Sequence, residues 1–178
     1  MATYRRRLPA TSSTIPTRVL LTCGATLIAT SAWLILEDRP GPAGLVAALA
    51  GVACMAGGRF AVWNADGLSR LFDPILDRAF DGVILGSIAW AERAARPAVA
   101  AGALVALGAS YLSSYVRARG ASLGYDVQES TVTRGIRYLL IAAGLGFGWL
   151  GRTLWIAAAL AVAASLIRTI QVAKEELV

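Results

Sequence analysis

Val19 to Leu36 reads V-L-L-T-C-G-A-T-L-I-A-T-S-A-W-L-I-L, 18 residues without a charge. A helix needs roughly 17–25 mostly apolar residues to cross the hydrocarbon core of a bilayer. The turn Glu37-Asp38-Arg39-Pro40-Gly41-Pro42 closes this block. A second apolar run covers about Ala43 to Val62, and a third runs from Pro74 to Trp90 with charge in its first turns. A fourth spans Pro97 to Val116, a fifth Ile136 to Leu150 and a sixth Thr153 to Thr169. A polar loop, Arg117 to Thr133, divides the fourth from the fifth. Only Gly151-Arg152 divides the fifth from the sixth, which predicts a tight helical hairpin there.

The composition agrees. Of 178 residues, 57% are hydrophobic, and the mean hydropathy is +0.61. Ordinary soluble domains hold about 45–50% apolar residues. A soluble chain this short has too little interior to hide such an excess, whereas a bilayer takes it up. The expected fold class is therefore all-α: a polytopic membrane bundle of six transmembrane helices.

The net charge is +6. The arginines flank apolar blocks and form no stripe interleaved with aromatics, so topology explains them better than nucleic-acid binding does. With the N-terminus inside, six spans leave Arg39, Arg93, Arg96 and Arg152 in outside loops and every other Lys and Arg inside. That asymmetry predicts an N-in/C-in orientation, and the expected location is the cytoplasmic (inner) membrane. Residues 1–17 read as a flexible basic cytoplasmic tail, 18–170 as the six-helix transmembrane domain, and 171–178 as a cytoplasmic C-terminal tail. A cleaved signal peptide is the rival for the N-terminus, but Val19–Leu36 is longer than a usual signal core.

Histidine is absent, so any catalysis runs on carboxylates, hydroxyls, Arg or Lys. Cys23 and Cys54 sit alone in apolar blocks and form no C-x-x-C pair.

Asp66 to Asp81 reads D-G-L-S-R-L-F-D-P-I-L-D-R-A-F-D. Spacings of seven, four and four put Asp66, Asp73, Asp77 and Asp81 along one stripe of a helix. Carboxylates at a membrane are expensive and mark functional sites by default. A stripe of them suits a divalent cation that also holds a phosphate. A second arrangement needs no metal: Arg70 and Arg78 pair with the aspartates, and Asp73 caps a helix that starts at Pro74.

Asp73-Pro-Ile-Leu-Asp77-Arg78-Ala-Phe-Asp81 resembles the second half of the signature of the CDP-alcohol phosphotransferases, D-x-x-D-G-x-x-A-R-x8-G-x3-D-x3-D. Ser114-Tyr115-Val116-Arg117-Ala118-Arg119 is similar to the S-Y-x-K/R-A-R run at the end of that family's fourth helix. Glu129 to Arg134 loosely resembles an E-R-x-x-R element before its fifth. The basic residues look most like those of actinobacterial phosphatidylinositol-phosphate synthases, where they hold the acceptor's phosphate.

The resemblance implies a homodimeric six-helix membrane enzyme of phospholipid synthesis. Such an enzyme moves a phosphatidyl group from CDP-diacylglycerol to an alcohol acceptor, possibly a phosphorylated polyol, and releases CMP. It implies Mg²⁺ or Mn²⁺ on Asp66, Asp73 and Asp77, with Asp77 also the catalytic base and Asp81 in support. Gly67 and Arg70 would contact the cytidine diphosphate, and Arg117, Arg119, Arg134 and Arg137 the acceptor phosphate, in a site facing the cytoplasm.

Three departures stand against full activity. Asp66-Gly67 lies only seven residues before Asp73, the A-R pair is missing, and Trp63 stands where the family has its first Asp. Two alternatives follow: an inactive relative serving as a membrane binding or partner subunit, and an unrelated small transporter. A transporter of the usual kind carries an internal repeat, and none is evident here.

Overall fold

The computed structural model describes residues 14–63, 67–125 and 131–175, and these form six α-helices. They are α1 (Thr14–Leu36), α2 (Pro40–Trp63), α3 (Gly67–Glu92), α4 (Pro97–Ser122), α5 (Thr131–Gly146) and α6 (Leu150–Glu175). The all-helical expectation holds. Of the two tails, residues 1–13 and 176–178 lie outside the described residues.

Four of these helices are long and apolar enough to cross a bilayer: α1, α2, α4 and α6. The other two differ for separate reasons. α5 has 16 residues, about 24 Å at 1.5 Å per residue, against a hydrocarbon core of about 30 Å. α3 has 26 residues but carries Asp73, Asp77, Arg78 and Asp81.

Helix ends follow local chemistry. α1 stops where Asp38 takes a positive φ of 56°. The Arg39 amide then bonds back to the Leu34 carbonyl at 2.9 Å and the Asp38 amide to that of Ile35 at 3.1 Å. This pattern closes the last carbonyls of a helix, and Asp is one of the few non-glycine residues that tolerate the conformation. The α5–α6 hairpin turns at Phe147-Gly148-Trp149, with Gly148 at φ 73°. The expected turn at Gly151-Arg152 is corrected, because both residues lie inside α6. The residue that supplies the left-handed backbone sets the turn. α3 also begins earlier than expected: Pro74 lies inside it, so Asp73 is not its N-cap.

α1 packs on α2 and α3, α4 on α6 and α3, and α5 on α2 and α6. Close approach rests on small residues. A Cβ placed on Gly44 of α2 would sit 2.6 Å from the Ala142 carbonyl oxygen of α5. Glycine lets the two backbones meet there. The buried core joins Ile28 and Ile35 with Ala43, Ala47 and Ala50, and continues through Phe80, Ile84 and Leu85 to Ile141 and Leu154. Large apolar side chains such as Trp33, Leu45, Val52, Leu104, Leu139 and Leu160 face outward, as lipid contact requires.

Candidate functional site

Because α3 is continuous through Asp73, Asp77 and Asp81, the four-residue spacing stacks the three on one face. They form a ladder into the bundle. Their side chains are 21%, 2% and 0% exposed in that order. Arg134, Arg137 and Tyr138 share one face of α5 by the same periodicity, and Ser110 comes from α4.

The two faces meet through charge. Asp73 accepts from Arg134 Nη1 at 3.2 and 3.1 Å. Asp77 Oδ1 accepts from Arg137 Nη2 at 2.7 Å and from the Tyr138 hydroxyl, while its Oδ2 accepts from Arg78. Arg134 Nε lies 3.6 Å from Asp77 Oδ1. Asp81 Oδ2 accepts from the Ser110 hydroxyl and lies 3.2 Å from Arg78 Nη1. Asp81 Oδ1 makes no hydrogen bond, but Arg137 Nε sits 3.0 Å away.

Ser110 ties the cluster together. Arg78 donates to its carbonyl at 2.8 Å and its hydroxyl at 2.6 Å, and Arg137 donates to the same hydroxyl at 3.2 Å. The Phe80 and Tyr138 rings pack beside these bonds with centroids 4.3 Å apart. Gly58 of α2 lies against the Asp73 carboxylate, where a Cβ would collide with it. Among the described residues, no Cα of α3 comes within 8 Å of one in α5. Long polar side chains span that gap in place of backbone packing.

The sequence-derived set divides as follows. Asp73, Asp77, Asp81, Arg134 and Arg137 are brought together. Asp66 lies outside the described residues. Gly67 and Arg70 belong to the first turns of α3. Arg117 and Arg119 lie seven and nine residues beyond Ser110 on α4, about 10 and 14 Å along its axis. Tyr138 and Ser110 were not singled out in the sequence. The adjacency Arg137-Tyr138 and the serines at 110 and 113 within an apolar block were their only signal.

A divalent centre requires carboxylate oxygens with free lone pairs aimed at one point. Among the described residues, no three acidic side chains are so arranged. Guanidiniums stand between the aspartates instead, and this arrangement does not fit the ion.

No family model matches the chain. Over 102 residues it is 37% identical to the phosphatidylinositol phosphate synthase of Corynebacterium glutamicum, covering 55% of this chain and 47% of that protein. The chain is similar to a phospholipid-synthesising transferase. This match agrees with the resemblance to the CDP-alcohol phosphotransferases. The chain spans about half the length of the curated relative it matches.

Proposed function

We propose that this chain is a membrane enzyme of phospholipid synthesis, transferring a phosphatidyl group from CDP-diacylglycerol to an alcohol acceptor with release of CMP. The observation that carries this is the meeting of the α3 aspartate ladder with Arg134 and Arg137 inside an apolar bundle, on a chain similar to a phosphatidylinositol phosphate synthase. All six helices form one domain in the inner membrane, α3 and α5 included, with both ends and the site on the cytoplasmic side. Two copies pair as a homodimer.

In the transfer, the acceptor's hydroxyl oxygen bonds to the phosphorus of the phosphatidyl group as the bond to the CMP oxygen breaks. Asp77 takes the hydroxyl proton. To do so it must give up one of the hydrogen bonds that Arg78, Arg137 and Tyr138 now make to it. Arg134 and Arg137 hold the phosphate, each offering a planar fork suited to two oxygens. Arg117 and Arg119 serve an anionic acceptor arriving from the end of α4. The family uses Mg²⁺ or Mn²⁺ for this chemistry; Asp66, Asp73 and Asp77 stand at its ligand positions, and here Asp73 and Asp77 are held by guanidiniums instead.

A second reading has its own support. Every carboxylate described in the ladder already has a guanidinium partner, and the signature is short. These features favour an inactive relative that binds lipid or a partner subunit. The full chain in detergent, given CDP-diacylglycerol and a panel of alcohols and phosphorylated polyols, separates the two. CMP release that is lost in Asp77→Asn supports the enzyme. No release across the panel favours the inactive relative, and unchanged turnover in Asp77→Asn removes Asp77 from the chemistry.

A further inference from the structure

We infer that the aspartate ladder is neutralised by the chain's own arginines, which take the place of a divalent ion, so that the resting protein binds no such ion there. Three carboxylates, Asp73, Asp77 and Asp81, face three guanidiniums, Arg78, Arg134 and Arg137. Bare aspartates stacked four residues apart would repel one another and draw in a dication. Here the charges already cancel, and that attraction is gone.

The oxygens are also committed. Both of Asp73 accept from Arg134. Those of Asp77 are divided among Arg78, Arg137 and Tyr138. On Asp81, Oδ2 takes Ser110, and Oδ1, which lacks a hydrogen bond, has Arg137 Nε at 3.0 Å. That last contact matters most, because the one carboxylate oxygen in the cluster without a hydrogen bond faces a positive charge. A metal would have to expel a guanidinium from a buried site, leaving it uncompensated where charge is poorly screened.

The backbone arrangement supports this independently. α3 and α5 stay more than 8 Å apart at every described Cα, so the arginines that neutralise the ladder also hold these helices together. Ser110 joins them from α4 through Arg78 and Arg137. An ion-dependent bundle would lose this bracing when the ion left, whereas a guanidinium-braced bundle keeps it.

Phosphatidyl transfer does not enter the test, which reads ion binding and stability of the resting full chain in uncharged detergent. Mn²⁺ is titrated in and its free concentration followed by electron paramagnetic resonance. Thermal unfolding is recorded in EDTA and in Mn²⁺. The expected result is no saturable Mn²⁺ binding and the same Tm in both. One bound Mn²⁺ per chain, lost in Asp77→Asn, would overturn the inference whether or not CMP is released. Arg137→Met then probes the substitution itself. Its Tm should fall and should rise again on adding Mn²⁺, since removing the guanidinium exposes Asp77 and Asp81 to the ion. A variant with wild-type Tm and no Mn²⁺ response would contradict the compensating role of Arg137. If Arg137→Met does not fold, the paired variant Asp81→Asn/Arg137→Gln, which keeps the charge balance, should fold and remain indifferent to Mn²⁺. A Mn²⁺-stabilised pair would count against the inference.

Discussion

The contact between α2 and α5 and the one between α3 and α5 use opposite means. At the first, Gly44 brings backbones together until a single Cβ would strike the Ala142 carbonyl. At the second, the backbones stand apart and Asp77, Arg137 and Tyr138 reach across. In a bilayer, helices gain little from burying apolar surface against each other, because lipid is as apolar as leucine. Close packing of small residues holds the first contact, and charge-assisted hydrogen bonds hold the second. The polar gap holds the paired aspartates and arginines, while the close-packed seam keeps α2 and α5 in register.

Substitutions sharpen this contrast. The largest effect is expected from Asp77→Ala, which empties a buried carboxylate site and leaves the partly buried Arg137 and Arg78 short of a partner. Breaking one side of a buried ion pair costs about 3–5 kcal/mol, readable as a shift in SDS-induced unfolding of the protein in mixed micelles. Gly44→Leu attacks the other seam, where the added side chain must part α2 from α5. Overpacking of this kind costs about 1–3 kcal/mol and should lower stability by the same measurement while leaving any Mn²⁺ response unchanged. Ser110→Ala should cost least, about 1 kcal/mol for the shared hydroxyl. Its loss leaves Asp81 Oδ2 with Arg78.

Much of the fold was legible because apolar blocks and helix length obey one physical rule. All six blocks became helices, and α1, α2, α4 and α6 alone satisfy length and composition together. The errors fell where local signals competed. Asp73-Pro74 looks like a helix start, yet α3 runs through it, since tertiary contacts to Asp73 and the turns before it outweigh one missing amide bond. Gly151-Arg152 looks like a turn, but Gly148 supplies the positive φ three residues earlier.

The site was legible in its parts and not in its pairing. Four-residue spacing showed the aspartate stripe, and Arg78 was close enough in sequence to be matched with Asp77 and Asp81, as the structure has it. Arg134 and Arg137 were assigned from the resemblance to an acceptor phosphate, and the structure has them on carboxylates 61 and 60 residues away. No local periodicity reports a contact at that separation. Ser110 and Tyr138 were invisible for a related reason: a hydroxyl within an apolar run declares no partner until the opposing helix is in place.

The bond between α3 and α5 is the feature on which the account depends, and a double-mutant cycle between Asp77 and Arg137 measures it most directly. Unfolding of the wild type, Asp77→Asn, Arg137→Gln and the double variant would be compared in the same micelles. Contacting charged partners couple by about 0.5–3 kcal/mol, and the 2.7 Å contact between Asp77 and Arg137 predicts at least about 1 kcal/mol. Additive losses with no coupling would show that the two side chains do not meet, and the site built on them would fall.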